Sequence, residues 1–175
     1  MFKVFVFLFL FSSTLFSHPH TFIDVYPSIK VKDGKTTEIS FKWKLDEMTS
    51  SMLIYEFDQN GDGEIDSQEN YYAYKNYFAV LEEVSYYTEL LLDEVLQEPI
   101  VPKNFKVTIE NNRVCYFFKI EGSYNVKKLS MEFGDRDFFV AMVLKPEFLN
   151  ITGAKAKIDD IDRDFYFVHR LELKE

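Results

Sequence analysis

Three features of the sequence predict an α+β fold, an antiparallel β-sandwich or open barrel with an inserted helix–loop–helix unit. Segments that alternate apolar and polar residues, rich in Val, Ile, Phe and Tyr, flank the middle of the chain on both sides. From Asp46 to Val84 the apolar period lengthens to that of a helix. Inside that stretch lies a run of Asp, Asn and Gly too polar to be buried in either element.

The elements follow in order. Met1-Phe2-Lys3, an apolar run from Val4 to Phe11 and a small-residue tail to Ser17 have the make-up of a secretory signal peptide over residues 1–17. The run falls far short of the ~20 apolar residues of a membrane span. The expectation is export to the periplasm, cleavage after Ser17, and a single non-membrane-spanning domain over residues 18–175. Phe22 to Val31 and Thr37 to Leu45 read as strands joined at Lys32-Asp33-Gly34-Lys35. Ile39, Phe41, Trp43 and Leu45 alternate and so share one buried face. Asp46 is placed to cap a helix running to Phe57, with Met48, Met52, Ile54 and Tyr55 on its buried side. A second helix runs from Ser67 to about Val84, carrying Tyr71, Tyr74, Phe78 and Leu81 on one face. Residues 86–97 fit either a continued helix or a hairpin turning at Asp93-Glu94, and Pro99 and Pro102 exclude helix beyond. Strands then read at 105–110, 113–121, 127–133, 137–144, 154–161 and 164–173, with Asn111-Asn112 as a tight turn.

Between the two helices, Asp58-Gln59-Asn60-Gly61-Asp62-Gly63-Glu64-Ile65-Asp66-Ser67-Gln68-Glu69 matches the twelve-residue calcium loop of an EF-hand at every fixed position. Asp58, Asn60 and Asp62 place side-chain oxygens at loop positions 1, 3 and 5. Glu64 offers its carbonyl at position 7, Asp66 a water at 9, and Glu69 both carboxylate oxygens at 12, as a cation taking six to eight oxygens requires. Gly63 stands at position 6, where the loop turns sharply. Such a match arises by chance in only about a few of every ten thousand chains of this size. Helix, loop and helix is the setting the motif needs.

Charge and cysteine content narrow the function. Without residues 1–17 the chain carries 19 Lys and Arg against 29 Asp and Glu, a net charge near −10. Nucleic acid is therefore an unfavoured partner, being itself a polyanion. The single cysteine, Cys115, lies in a strand pattern and reads as a small core hydrophobe. No Ser-His-Asp set, phosphate loop or H-E-x-x-H motif is present, so no enzyme is expected. The histidines are the second chemical feature. Cleavage after Ser17 makes His18 the first residue, whose amine and imidazole would chelate a transition metal together with His20 and with His169 from the last strand. Pro19 lacks the N–H that an amino-terminal copper clamp deprotonates, so a brace remains. Zinc, copper or nickel suits such imidazole ligands.

The order of these features resembles a known family. After a signal peptide come His18-Pro19-His20-Thr21-Phe22-Ile23-Asp24, a strand with Trp43, Leu45-Asp46-Glu47 entering a helix, the Asp-rich loop, a Tyr- and Phe-rich second helix, and Phe133-Gly134-Asp135-Arg136-Asp137-Phe138-Phe139-Val140. This is similar to the bacterial exported family called domain of unknown function one thousand and seven, whose members are labelled periplasmic components of an ABC-type transport system. Where members show Tyr-Asp-Pro-x-Tyr/Phe, this chain keeps Asp135 and Phe138-Phe139 but lacks the Pro. The resemblance implies that residues 86–97 form the hairpin. It also implies metal handling beside an inner-membrane transition-metal transporter (zinc, nickel, cobalt or copper). The expected function is a periplasmic calcium-binding accessory to such transport, and the alternative a calcium-stabilised structural or interaction module with no transition-metal role.

Overall fold

A computed structural model describes residues 20–97, 99–137, 139–163 and 166–174. The expected signal peptide and His18 lie outside them, as does Phe138. Strands β1 (Thr21–Lys32) and β2 (Lys35–Leu45) form the first hairpin, turning at Asp33-Gly34. Helices α1 (Glu47–Phe57) and α2 (Ser67–Ala73) flank the acidic loop. Beyond α2 the helix widens into a π-helical stretch, Tyr74–Phe78, and tightens into a 3-10 stretch, Ala79–Tyr87. Then follow β3 (Thr88–Leu92), β4 (Val95–Leu96), β5 (Pro102–Glu110), β6 (Arg113–Ile120), β7 (Leu129–Phe133), β8 (Val140–Val143), β9 (Asn150–Thr152), β10 (Lys155–Arg163) and β11 (Tyr166–Lys174). Residues 86–97 thus hold the hairpin that the resemblance implied, with Asp93 and Glu94 at positive φ in its turn. Asn111 and Asn112 turn the β5–β6 hairpin in the same conformation, which Asn tolerates better than most residues.

The strands make two sheets. One runs β5-β6-β2-β1-β8, with β9 also on β1; the other runs β10-β11-β7-β3-β4. Both contribute to one hydrophobic core, so the molecule is a sandwich-like α+β fold. The expectation of wholly antiparallel sheets is corrected at one place. β8 and β9 both lie parallel to β1, Thr21 to Asp24 against Val140 to Val143 and Ser28 to Lys30 against Asn150 to Thr152. Parallel pairing needs a long crossover rather than a tight turn, and the chain from β2 through the helices to β7 supplies it.

Ile39, Phe41, Trp43 and Leu45 are all buried on the inner face, as their alternation requires. Their aromatic rings meet others: Trp43 stands edge-on to Phe118 at 5.0 Å, and Phe41 to Phe133 of the other sheet at 5.9 Å. Phe78 enters the same cluster, 4.4 Å from Phe105 and 5.1 Å from Phe118. Cys115 is buried as expected, but it sits on the outer face of the first sheet, opposite Lys44 and Thr108.

The helix faces differ from expectation. On α1, Met48, Met52 and Tyr55 are exposed (63%, 59% and 84%), while Thr49, Ser50 and Phe57 are buried. The reason is docking by hydrogen bonds: the Ser50 hydroxyl donates to the Leu45 carbonyl (3.3 Å) and accepts from the Val114 N–H (3.0 Å). Small residues let the helix lie that close to β6. Along the second helix Tyr71 is exposed and Tyr74 partly so, whereas Ala73 and Phe78 are buried. The π-helical stretch rotates the face that follows it, which a constant 3.6-residue period does not anticipate.

Candidate functional site

The acidic loop is held open-ended between two fixed helices. Asp46 caps α1, its Oδ1 accepting from the Thr49 N–H at 2.9 Å, and its Oδ2 accepts from the Phe22 N–H of β1 at 2.9 Å. Burial alone would raise the Asp46 carboxyl, but these donors hold it below its ordinary range. Asp66 caps α2 in a capping box: its Oδ1 accepts from Gln68 and Glu69 N–H groups (2.7 and 2.9 Å), and Glu69 Oε2 accepts from the Asp66 N–H (2.9 Å). Farther along, Asn70 Oδ1 accepts from the Val107 N–H at 2.8 Å, pinning α2 to β5.

Within the loop the predicted side chains fold the backbone around themselves. Asp58 Oδ1 accepts from Gly61 and Asp62 (2.8 and 3.1 Å), and its Oδ2 accepts from Gly63 (2.9 Å). Asn60 Oδ1 takes the Asp62 N–H and Asp62 Oδ1 the Glu64 N–H, both at 2.8 Å. Gly63 has φ +82°, and a Cβ there would meet no atom within 4 Å. The left-handed backbone, not crowding, is therefore what calls for glycine at position 6. Glu69 is 4% exposed. Its Oε1 reaches back to the N–H groups of Gln59 (2.8 Å) and Asn60 (3.3 Å). One buried carboxylate thus ties the exit of α1 to the entrance of α2. Glu64 and Asp66 are exposed in the same loop.

The loop oxygens are therefore gathered in one segment but engaged with its own N–H groups. Among the described residues, no three His, Cys, Asp or Glu side chains stand together as a metal-holding group. The histidines have separate partners. His20 stacks on Phe139, ring centres 6.2 Å apart, at the start of β1. His169 on β11 places Nδ1 2.6 Å from Asp160 Oδ1 and stands edge-on to Phe167. His18, the third member of the expected brace, lies outside the described residues.

Sequence reading missed a second polar centre. Glu132, in the fully buried strand Leu129–Phe133, is 2% exposed. Arg163 donates to both its oxygens at 2.7 Å, and Arg170 Nε to Oε1 at 2.8 Å. Burial pushes the Glu132 carboxyl up, and the two guanidiniums outweigh it, leaving the group below its ordinary range. The signal was an acid between Met131 and Phe133 in a short strand pattern. Beside it, a cavity of about 390 Å³ opens between the end of the second helix and the second sheet, lined by Glu83, Ser85, Tyr87, Glu89, Arg136 and Tyr166 among others. Ser85, Tyr86 and Tyr87 all have positive φ, a left-handed turn costing roughly 1–2 kcal/mol per residue. Asp135 fixes the neighbouring turn by accepting from Asp137, Phe139 and Val140 N–H groups at 2.9–3.0 Å. Among the described residues no helix is long and apolar enough to cross a membrane.

Comparison with known proteins places this architecture. An uncharacterised protein of Haemophilus influenzae is 26% identical over 135 residues, covering 72% of this chain and 62% of the relative. The chain thus matches less than two thirds of that curated relative's length. Residues 3–159 match the family described as Protein of unknown function (DUF1007). That match covers both hairpins of the first sheet, the helix pair with its loop, and the buried Glu132 strand, and the chain belongs to that family.

Proposed function

We propose that the protein is a non-enzymatic, exported calcium-binding protein whose EF-hand loop, Asp58 to Glu69, locks the helix pair onto the first sheet. The observation that supports this best is the buried Glu69 carboxylate, which already spans the loop from Gln59 to Asp66. On calcium binding, Glu69 would exchange its bonds to Gln59 and Asn60 for the ion as a bidentate ligand. Asp58, Asn60 and Asp62 side chains, the Glu64 carbonyl and a water at Asp66 would complete the shell. A weak, extracellular-type site fills at the calcium levels outside a cell and acts as a constant brace, adding stability by mass action.

In this reading the protein is an accessory to an inner-membrane transporter of zinc, nickel, cobalt or copper, with His18 and His20 as the capture ligands. The support is the His18-Pro19-His20 stretch that directly follows the expected cleavage point. One observation favours the second reading, an interaction module without transition-metal chemistry. Met48, Met52 and Tyr55 stand exposed at i, i+4 and i+7 on α1, an apolar stripe of the kind that recognises partners.

Calorimetric titration of the metal-free protein with calcium tests the loop: heat at millimolar calcium is expected, and its absence sinks the proposal. Titration with zinc, copper and nickel, beside intact-mass measurement of the exported chain, separates the two readings. A chain beginning at His18 that binds one of these metals, and loses it in His20→Ala, favours the accessory role. Equal binding by the variant, or none by either, leaves the interaction module.

A further inference from the structure

The outer face of the six-stranded sheet, away from the core and from the loop, carries two rows of side chains across its strands. Tyr26 lies opposite Lys42, Lys42 opposite Phe117, and Phe117 opposite Lys106. Residues directly opposite in antiparallel strands share a face, so these four make one row. The neighbouring row is Ser28, Ser40 and Lys119. Phe148 packs on Tyr26 with ring centres 4.3 Å apart, and Asn150 extends the second row by donating to the Ser28 hydroxyl at 3.1 Å. A groove of about 400 Å³ runs between them, with Asn104 at its far side.

The chemistry of this groove is unlike that of the chain around it. The protein has a net charge of −9, yet the groove is cationic and aromatic. The Lys42 ammonium sits 5.9 Å from the Tyr26 ring centre and 5.5 Å from that of Phe117, and Lys145 lies 5.4 Å from that of Phe148. Glu110 pairs with Lys42 and Glu38 with Lys119 at the margins, while Lys106 projects from β5 into solvent.

We propose that this groove binds an anionic oligosaccharide laid across the strands. The half-buried rings of Tyr26, Phe117 and Phe148 leave surface that suits the C–H faces of sugar rings. Ser28, Ser40, Asn104 and Asn150 offer the neutral donors and acceptors that hydroxyls need. Lys106 at the margin meets one carboxylate, and Lys42 and Lys119 exchange Glu110 and Glu38 for others. At ~4.8 Å between strands the aromatic row spans about 14 Å, room for about three sugar units. A peptide is the weaker occupant, because it commonly binds a sheet by adding a strand to a free edge. Here the aromatic row lies on β1, β2 and β6, which have neighbours on both sides, and the free edge is β5, at one end of the groove. Charges elsewhere on the protein are screened beyond ~8–10 Å at physiological salt, so the local face governs the encounter.

Calorimetry of the purified protein in calcium-free buffer, with a galacturonic acid tetramer as probe, tests this independently of the loop. Expected is saturable binding that weakens with salt and is at least tenfold weaker in Lys106→Glu and in Tyr26→Leu, with Lys106→Arg restoring it. Lys106 is exposed, so its variants report on binding with the fold intact. Absence of heat, unchanged affinity in both variants, equal binding of neutral maltotetraose, or tighter binding of a tetraglutamate peptide would each overturn the proposal.

Discussion

Glu69→Gln separates the two duties of the loop's last residue. In the metal-free protein the Glu69 carboxylate accepts from three backbone N–H groups, those of Gln59, Asn60 and Asp66, while 4% exposed. Glutamine keeps one oxygen and turns an NH₂ group toward the remaining donor, so one end of the bridge fails. Losing a charge-assisted bond and leaving a buried N–H unpaired costs about 2 kcal/mol. For a domain of this size that lowers Tm by about 4–8 °C. Calcium acts on top of this. A site with Kd of about 0.1–1 mM contributes about 1.4–2.7 kcal/mol at about 10 mM calcium, or about 3–10 °C. Differential scanning calorimetry with EDTA and with calcium reads both effects. Wild type should rise with calcium and the variant hardly at all. A variant that starts as stable as wild type refutes the hydrogen-bond account of the bridge. A wild type unmoved by calcium, or a variant that rises equally, refutes the ligand assignment.

The other expectations concern the second sheet, the sheet junction and the amino terminus. Glu132→Gln breaks a buried pair and leaves Arg163 and Arg170 facing an amide, at a cost of about 3–5 kcal/mol in urea unfolding. Because the folded Glu132 and Asp46 carboxyls lie below their ordinary range, the stability they contribute is fully present above about pH 4–5 and is lost as pH falls through their folded values. Melting from pH 6 to 3 should show that loss, shallower in Glu132→Gln. Gly153 has φ +82° and its missing Cβ would lie 2.1 Å from the Val31 carbonyl oxygen, so Gly153→Ala should cost more than the ~1–2 kcal/mol of the backbone term alone and loosen β9, seen as faster amide exchange at Ile151. His20→Ala should leave Tm within about 1 °C, since an exposed stacked ring contributes little, while diminishing any zinc heat that the intact terminus gives.

Much of the architecture was legible because it is local. The Asp33-Gly34 and Asn111-Asn112 turns, the alternation through Trp43 and the cap at Asp46 each carry their instruction within a few residues. The acidic loop is legible for the same reason. What escaped was long-range. Nothing in Val140–Val143 or Asn150–Thr152 announces that both will lie parallel to β1. The α1 faces were misjudged because hydrophobicity ranks Met48 and Tyr55 above Ser50, whereas the close approach to β6 is set by a hydroxyl between two backbone groups. The second helix was misjudged from a period that its own π-helical stretch interrupts. Glu132 was overlooked because its partners, Arg163 and Arg170, come from another hairpin, more than thirty residues away.

The position of β1, flanked by β2 on one side and by β8 and β9 on the other, bears on the timing of folding. Its second flank cannot be filled until residues 150–152 exist, some 120 positions after the partner they join. Closing so long a segment is slow. A nascent chain therefore carries a first sheet still open along one side of β1 until most of its length has been synthesised.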